Sequence, residues 1–410
     1  MMPDRSYLEL PFFEKRHRQL ADELDEWCRH TKWPDHGGTV EDTDEGCRQR
    51  VQMLAEGGWL KWCVPQAFGG RTEKLDVRSL CLIRETLARY DALADFSFAM
   101  QGLGSGAVSI LGNPEQQQNI LNAVSKGRKI AGFALSEPEA GSDVASMKAR
   151  AIPTQNGWKL NGEKSWISNG GIADFYTLFA RTGDQSGTSG ISAFLLQADN
   201  PGLSIAERQK VMAPHPLARL ELNDVFLHQN TLLGEEGKGF ATAMATLDIF
   251  RPTVGAAALG FARRALDEAL RYSGTRQMYG QSMQKMPVIR TRLGEMDLKV
   301  DSSALLVYRA AWAHDQGTGR ATRESSMAKL YATESAQQVI DAAVQLFGAR
   351  GVEKGNAVES LYREIRALRI YEGASEVHQQ ILGDRAIRSF NEGLDAREAK
   401  KSQPLHPEPA

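Results

Sequence analysis

Hydrophobic residues in this chain follow two different spacings, and the two positions where the spacing changes divide the chain into three parts. Before residue 129 they recur at the roughly 3.6-residue period of amphipathic helices. From 129 to about 233 they form short alternating runs between turn residues, as strands do. From 234 onward the helical period returns in long segments. We therefore predict an α+β protein that is mainly α, with an N-terminal helical domain (1–128), a middle β-barrel or sandwich (129–233) and a C-terminal four-helix bundle (234–395).

Turn and helix-boundary residues refine this division. Pro114, which follows an asparagine, forms a typical helix start, and Pro287 is placed to open another helix. Pro252 falls inside a long alanine-rich helical segment, which we expect it to bend or loosen. Asn161–Gly162, between two alternating runs, predicts a hairpin turn. The proline-rich tail, residues 396–410, is predicted to be disordered.

Charge and composition exclude several classes of protein. The net charge of -2 gives no electrostatic basis for binding nucleic acid. No apolar run approaches the roughly 18 residues that span a bilayer, and the acid-rich N-terminal region is unlike a targeting peptide. We therefore expect a cytoplasmic protein without a membrane segment or a metal site. The four widely spaced cysteines are expected to be buried thiols: Cys28, Cys47, Cys63 and Cys81.

Three separated stretches concentrate residues that are suited to chemistry. The first, Phe133–Asp143, supplies hydroxyl groups and a glycine-containing turn. The second, Lys164–Gly170, places a tryptophan two residues before a serine. The third, Arg369–His378, contains Glu372 directly before a glycine. A carboxylate can act as a base, while hydroxyl groups and an aromatic ring can hold a flat, hydrogen-bonding cofactor.

Together these stretches resemble the acyl-CoA dehydrogenase family over nearly the whole chain, from about residue 10 to about residue 390. Residues 134–146 fit the first signature of that family, and residues 345–351 resemble the second. The resemblance implies that the chain oxidises an acyl-CoA thioester with FAD, in fatty acid metabolism. It also implies a homotetramer that passes electrons to an electron-transferring flavoprotein, with Arg276 reaching FAD in a neighbouring subunit.

The resemblance assigns cofactor contacts to particular residues. The Ser136 hydroxyl and the backbone near Leu135 are expected to face the N1 and O2 side of the flavin, where negative charge appears on reduction. Trp166 is expected to pack against the flavin, with Ser168 at N5, the atom that accepts hydride. Arg276 suits the pyrophosphate of FAD, because a guanidinium can bind two oxygens at once. The remaining expected FAD contacts are Phe133, Gly141, Ser142, Ile167, Gln345, Gly348, Ala349, Ala374 and Glu376.

Glu372 is the expected catalytic base, by the same resemblance. It would remove the proton α to the thioester carbonyl while hydride passes from the β carbon to flavin N5. Burial by the acyl chain would raise its pKa and its basicity, and Gly373 would let the substrate approach the backbone. Phe250 occupies the position where some members of the family carry the base, and it cannot act as one. The expected substrate contacts are Ser142, Asp248, Arg251 and Gly373.

Three places depart from the family pattern or have no assigned role. Ala349 replaces a glycine, and its methyl group could crowd the approach of the backbone to the cofactor. Met286–Pro287 replaces an aromatic residue or histidine followed by glutamine, which puts the usual amide contact to the adenine half of FAD in doubt. Arg84 lies on an amphipathic helical stripe and is expected at the surface, although it could also meet a polar or acidic acyl end.

Two other functions fit the same residues. One is acyl-thioester chemistry on this scaffold without net oxidation, such as release of sulfite from a sulfinated acyl-CoA, or chemistry on an acyl group bound to a carrier protein. The other is a flavin-binding structural or regulatory protein, against which the combination of base, tryptophan and both signatures argues. Acyl chain length and branching stay open, because no motif reports the depth of a cavity.

Overall fold

The N-terminal part of the molecule is helical, as predicted. The computed structural model describes residues 5–35, 37–185, 187–317 and 320–401, with side chains described as far as residue 393. The apolar stripes pack together, and Leu24, Leu54 and Ile83 are fully buried. The helices are α1 (Lys15–His30), α2 (Val40–Glu56), α3 (Val77–Tyr90), α4 (Ala92–Leu111) and α5 (Pro114–Ser125).

Local capping chemistry explains where α5 begins. The Asn113 side chain accepts a hydrogen bond from the Gln116 backbone, and the Gln116 side chain accepts one from the Asn113 backbone. Pro114 occupies the first turn, where its missing N–H is not needed. The predicted helix start is therefore confirmed.

The middle part is one eight-stranded sheet that consists of two halves. Its strands are β1 (Ala131–Ala134), β2 (Arg150–Thr154), β3 (Gly157–Ser168), β4 (Phe175–Arg181), β5 (Ile191–Gln197), β6 (Leu203–Arg208), β7 (Leu217–His228) and β8 (Leu232–Leu233). The half β6-β7-β3-β2 joins the half that contains β4 through a single paired position, Arg150 with Arg181. Trp158 of β3 and Phe194 of β5 meet with ring centroids 5.2 Å apart, so the two halves also share a core. This agrees with the predicted barrel or sandwich.

The predicted hairpin at Asn161–Gly162 is wrong. Strand β3 runs unbroken through these residues, and the chain reverses earlier, at Gln155 and Asn156. Gly162 has a φ of 146° at an irregularity in the pairing of β3 with β7. A Cβ on this residue would lie 2.7 Å from Ala149 Cα. The Asn-Gly pair marks a bulge, because a bulge needs the same backbone freedom as a turn.

The C-terminal part is a helical bundle with one more helix than predicted among the described residues. Its helices are α6 (Gly239–Thr275), α7 (Pro287–Asp315), α8 (Thr322–Phe347), α9 (Ala357–Leu368) and α10 (Ser375–Lys401), and Pro287 opens α7 as predicted. Helix α8 packs against each of the other four, and short α9 is the addition. A small hairpin of β9 (Gln277–Met278) and β10 (Gln281–Ser282) links α6 to α7. Helix α10 continues past the predicted boundary at residue 395, and residues 402–410 of the predicted tail lie outside the described residues.

Helix α6 continues through Pro252 without ending. Because proline has no N–H, the Asp248 carbonyl one turn earlier loses its helical hydrogen bond. The Ser325 hydroxyl of α8 lies 3.4 Å from that carbonyl oxygen and donates to it. The helical hydrogen bond that Pro252 removes from the Asp248 carbonyl is therefore replaced by a hydrogen bond from Ser325 of the neighbouring helix α8.

The four cysteines are buried and free, as predicted. In the described part of the chain, no helix combines the length and apolar character needed to cross a bilayer. The same described residues include no cluster of histidine, cysteine and acidic side chains that could hold a metal ion.

Candidate active site

The segment that carries Glu372 is a tight connection between α9 and α10. Glu372 has a φ of 53° and Gly373 a φ of 102°, so two successive residues adopt left-handed backbone conformations. This conformation is uncommon for a glutamate and ordinary for a glycine. A side chain at position 373 is also excluded by packing, since its Cβ would lie 2.8 Å from Nε2 of buried His378. Backbone strain of this kind is typical of functional sites.

Two buried cations from neighbouring helices hold the backbone of this segment. Arg251 Nε of α6 donates to the Glu372 carbonyl at 3.2 Å, and Lys329 Nζ of α8 donates to the Gly373 carbonyl at 2.6 Å. Arg251 Nη1 also lies 3.4 Å from Asp248 Oδ1. The structure thus brings three predicted substrate contacts, Asp248, Arg251 and Gly373, together with the predicted base.

A carboxylate from α8 joins the two ends of the same segment. Glu334 Oε1 accepts hydrogen bonds from Arg369 Nε at 2.8 Å and from Ser375 Oγ at 2.5 Å. Arg369 precedes Glu372 in the chain and Ser375 follows it. The position of Glu372 is therefore set by side chains of α6 and α8 as well as by the loop itself.

Glu372 is partly buried as a residue, and its carboxylate points towards several positive charges. Its Oε2 atom is buried and has no hydrogen-bond partner among the described residues. Burial raises the pKa of Glu372, and the positive charges of Arg84, Arg251 and Lys329 oppose that rise. A carboxylate with a raised pKa and an unengaged oxygen is a better proton acceptor than an exposed glutamate.

Lys329 and His378 support this environment in different ways. Burial lowers the pKa of Lys329 to about 8, so its ammonium group still carries a charge at neutral pH. Burial lowers the pKa of His378 to about 3, so its ring is neutral there. In the described part of the chain, neither buried ring nitrogen of His378 has a hydrogen bond of normal geometry. His378 therefore acts mainly by filling space behind Gly373, while Lys329 contributes charge and a hydrogen bond.

A buried ion pair supports the first cofactor stretch in the sheet domain. Lys164 Nζ of β3 contacts Glu137 Oε1 at 2.9 Å and donates to the Leu135 carbonyl at 3.0 Å. Glu137 also accepts hydrogen bonds from the backbone N–H groups of Lys148 and Ala149. Burial lowers the pKa of Lys164, and the charge of Glu137 opposes that effect. The pair fixes the turn that contains Leu135 against β3.

Trp166 presents an apolar ring on the surface of the sheet domain. It is 57% exposed, although Ser165 and Ile167 on either side are buried. Its φ is 61°, and its backbone N–H donates to Gln209 Oε1 at 2.9 Å. Ser168, two residues further on, is partly exposed. A ring held outward beside an accessible hydroxyl fits a flat cofactor with hydrogen-bonding edges.

The predicted contacts from the bundle gather at one end of α6 and α8. Tyr272 of α6 stacks on Phe347, the last residue of α8, with ring centroids 4.2 Å apart. Arg276 directly follows α6, Gly348 and Ala349 directly follow α8, and all three are exposed. Within the described residues, no hydrogen bond, ion pair or ring contact joins this group to the exposed tryptophan.

The other predicted FAD contacts differ in exposure. Leu135 and Ile167 are buried, so their backbone groups are the parts available to a ligand. Phe133 packs against Phe179, with ring centroids 5.1 Å apart, and Ser136 is partly exposed. Ala374 is partly buried, and the exposed members are Gly141, Ser142, Gln345 and Glu376.

The expected surface position of Arg84 is wrong. Arg84 is 3% exposed and forms a bidentate ion pair with Asp95 of α4, with two N–O distances of 2.8 Å. Helix α3 packs against α1, α4 and α6, which leaves little of its surface for solvent. Arg84 therefore lies in the interior, where its charge opposes the rise that burial causes in the pKa of Glu372.

Sequence reasoning did not identify Lys329, Glu334 or His378. Lys329 and Glu334 flank Ala332 in a segment of α8 that is rich in small residues. Small residues allow close helix packing, and a lysine among them is a candidate for burial. That pattern could have singled out Lys329, whereas nothing in the sequence distinguished His378 from an ordinary helix residue.

Family models match almost the entire chain. The models "Acyl-CoA dehydrogenase, N-terminal domain", "Acyl-CoA dehydrogenase, middle domain" and "Acyl-CoA dehydrogenase, C-terminal domain" match residues 14–128, 132–225 and 237–387. The chain therefore belongs to the acyl-CoA dehydrogenase family. It is a flavin-dependent oxidoreductase, and its cofactor is FAD.

Individual proteins show the same relationship. "Probable acyl-CoA dehydrogenase fadE25" of Mycobacterium tuberculosis is 34% identical over 355 residues, covering 86% of this chain and 91% of that protein. "Caffeyl-CoA reductase-Etf complex subunit CarC" of Acetobacterium woodii is 33% identical over 352 residues, covering 85% and 92%. The solved structure of butyryl-CoA dehydrogenase from Megasphaera elsdenii has a TM-score of 0.84 and 30% identity, covering 92% of this chain and 99% of that one.

Replacing Trp166 with alanine tests its predicted role beside the flavin. The affinity for FAD should fall by an amount on the order of 1–3 kcal/mol, because a stacking surface is lost. Titration of the apoprotein with FAD measures the affinity, and the absorption band of bound flavin should also change. Trp312→Ala removes a partly exposed tryptophan of α7 and serves as the control. An unchanged spectrum and affinity in Trp166→Ala would mean that the ring has a structural role only.

Proposed function

We propose that this enzyme removes hydrogen from the α and β carbons of an acyl-CoA thioester to give a trans-2-enoyl-CoA, with Glu372 as the catalytic base. The observation that supports this most directly is the buried Glu372 Oε2 atom, which has no hydrogen-bond partner among the residues that the structure describes, on a segment held by Arg251 and Lys329. A buried polar atom without a hydrogen bond costs free energy. Retaining one is expected where a reaction needs an unengaged proton acceptor.

The surroundings of Glu372 suit removal of a weakly acidic proton. Burial favours the protonated carboxyl group, while Arg84, Arg251 and Lys329 keep the ionised form accessible. Arg251 and Lys329 are engaged with backbone carbonyls, so their charges stay in place when the carboxylate takes up the proton. The Glu372 N–H makes no hydrogen bond within the described residues, and it could donate to a thioester carbonyl that develops negative charge.

FAD, when bound, supplies the acceptor for the hydride that leaves the β carbon. Ser136, Trp166 and Ser168 would hold its flavin at the surface of the sheet domain. Arg276 would bind its pyrophosphate, close to Gly348 and Ala349 at the end of the bundle. Within the described part of one chain, the flavin-binding residues of the sheet domain do not contact the pyrophosphate-binding residues at the end of the bundle. This separation supports a cofactor site that is shared between subunits.

We infer that the enzyme is a homotetramer that passes electrons to an electron-transferring flavoprotein. Arg276 is exposed and forms no ion pair with the described residues of its own chain, as expected of a residue that serves a neighbouring subunit. The similar protein CarC is named as a subunit of a complex with Etf, which supports the proposed electron acceptor. A cytoplasmic location and a role in fatty acid metabolism stay predictions from the sequence and its family resemblance.

Anaerobic mixing of the FAD-loaded enzyme with saturated acyl-CoAs tests the proposed reaction. The flavin absorption band should bleach with at least one member of a panel that varies chain length, branching and terminal polarity, because hydride enters the flavin. Enoyl-CoA should form in equal amount. If no saturated acyl-CoA bleaches the flavin while a sulfinated or carrier-bound acyl thioester is converted, the proposed dehydrogenation is wrong.

A further inference from the structure

The outward position of Trp166 depends on an irregularity in strand β3. The register of β3 with β7 shifts between Lys164 and Ile167, so that Ser165 and Trp166 both lie opposite Arg219. Two residues on one strand against one on its neighbour form a β-bulge, which leaves the extra residue unpaired in the strand ladder. Contacts other than the ladder must therefore fix the backbone at this point.

Trp166 has an unusual backbone conformation at this bulge. Its φ of 61° is left-handed, which is uncommon for a residue with a bulky side chain. Its ring is 57% exposed, although Ser165 and Ile167 are buried, so packing of the ring does not impose this conformation. A backbone conformation of this kind persists only where the surrounding groups enforce it.

The side chain of Gln209 supplies a contact that enforces it. Gln209 directly follows β6, on the far side of β7 from β3, and its backbone N–H donates to the Leu217 carbonyl of β7 at 3.0 Å. Its Oε1 atom accepts a hydrogen bond from the Trp166 N–H at 2.9 Å. Its Nε2 atom donates to Ser165 Oγ at 3.1 Å. One amide group therefore bridges the two residues that form the bulge.

Ser165 gives this bridge a fixed point of attachment. It is 3% exposed, and its backbone N–H donates to the Ser136 carbonyl at 3.0 Å. Ser136 lies in the first of the stretches that are expected to contact the flavin. Because the Ser165 hydroxyl orients the amide of Gln209, the amide oxygen is aimed at the Trp166 N–H. Fixing a contact surface in this way lowers the entropy that is lost when a ligand binds.

We propose that Gln209 is a positioning residue for FAD: its amide holds the Trp166 backbone in the left-handed conformation that keeps the indole ring against the flavin. This assignment rests on the proposed function, because that proposal places Trp166 at the flavin. Gln209 does not touch the reacting atoms and acts through Trp166. Loss of its amide should therefore weaken FAD binding only when the tryptophan is present.

Replacing Gln209 with methionine keeps the length of the side chain and removes both of its hydrogen bonds. Release of FAD on dilution of the holoenzyme, followed by flavin fluorescence, gives the dissociation constant. Gln209→Met should raise that constant roughly fivefold to twentyfold, because the Trp166 N–H loses its acceptor. The flavin absorption band should also change in the same direction as in Trp166→Ala.

Two further variants separate the hydrogen bonds from the shape of the side chain. Gln209→Glu should stay within about threefold of the parent, since carboxylate oxygens can accept from both the Trp166 N–H and the Ser165 hydroxyl. Gln197→Met is the matched control and should leave FAD binding unchanged. Gln197 is another partly exposed glutamine at the end of a strand, but it accepts from Lys129 in the other half of the sheet.

A double-mutant cycle with Trp166→Ala shows whether Gln209 acts through the tryptophan. In the Trp166→Ala background, Gln209→Met should change the dissociation constant by less than about twofold. A similar loss of affinity in both backgrounds, or no loss in the parent, overturns the proposal. If Gln209→Met does not fold, Ser165→Ala takes its place in the cycle, because it removes one end of the bridge and should show the same dependence on Trp166.

The same measurements keep this assignment apart from the proposed reaction. If Trp166→Ala alone leaves FAD binding unchanged, the ring does not lie at the flavin, and the role of Gln209 is overturned with it. Bleaching of the flavin by saturated acyl-CoAs tests dehydrogenation separately. The proposed reaction can therefore stand when the assignment of Gln209 fails.

Discussion

Replacing Glu372 with glutamine should slow reduction of the flavin by acyl-CoA by about 10²–10⁴-fold, the usual effect of losing a general base. Glutamine keeps the size and much of the hydrogen bonding of the side chain but cannot accept the α proton. FAD content and acyl-CoA affinity should hardly change, because the segment is held through the backbone by Arg251 and Lys329. Anaerobic stopped-flow absorbance, with a substrate that the unmutated enzyme oxidises, gives the rate.

The pH dependence of the same rate provides an internal check. Glu372 must be ionised to act, and burial raises its pKa above the ordinary glutamate value. The rate of the unmutated enzyme should therefore fall as the pH is lowered through that raised pKa, and Glu372→Gln should lack this acid limb. The exposed Glu353→Gln variant should behave like the parent. If Glu372→Gln stays within about threefold of the parent rate, another residue is the base.

Replacing Lys164 with methionine should destabilise the folded enzyme by about 3–5 kcal/mol, because Glu137 would be left buried without its ion-pair partner. Lys164 is fully buried and Glu137 is 6% exposed, so solvent cannot compensate for the loss. The Leu135 carbonyl would lose a hydrogen bond as well. Denaturant unfolding of the holoenzyme and of the apoprotein measures the change, and FAD should dissociate more readily from the variant.

Lys159 offers a matched control on the same strand. It forms an ion pair with Asp224 at 2.8 Å, but both side chains are well exposed. Lys159→Met should therefore hardly change stability, because exposed ion pairs are solvated and screened. Equal losses of stability in the two variants would show that the burial of the Lys164–Glu137 pair has no special importance.

Hydrophobic spacing alone was enough to predict the three-part architecture. Helical and strand periods follow from local backbone geometry, so they can be recognised without knowing what each element packs against. Pro114 and Pro287 likewise report local geometry, and both helix starts are correct. The Asn161–Gly162 prediction failed because a turn and a bulge use the same residues. Only the pairing of β3 with distant β7 distinguishes them.

Local motifs were enough to predict candidate site residues, whereas the burial of the residues around them could not be predicted from the sequence. Glu372 was predicted to be the base from its local sequence, and the structure gives it a left-handed backbone and a buried carboxylate oxygen, while its catalytic role stays a prediction. Arg84 was placed at the surface because an amphipathic stripe shows that one face is covered. Such a stripe cannot show that several helices also cover the remaining faces of α3. Lys329 was missed for the same reason, since its burial depends on how α8 sits within the bundle.

The way in which the base segment is anchored has an evolutionary consequence. Every anchor engages either a backbone carbonyl or a residue other than 372, namely Arg369 or Ser375. If Glu372 is the base as proposed, a mutation at position 372 would change the chemistry without dismantling the loop, provided that the new side chain tolerates left-handed backbone, which disfavours β-branched residues. On that proposal, a descendant of this enzyme could lose or replace its reaction through one amino-acid change and keep its fold and its cofactor.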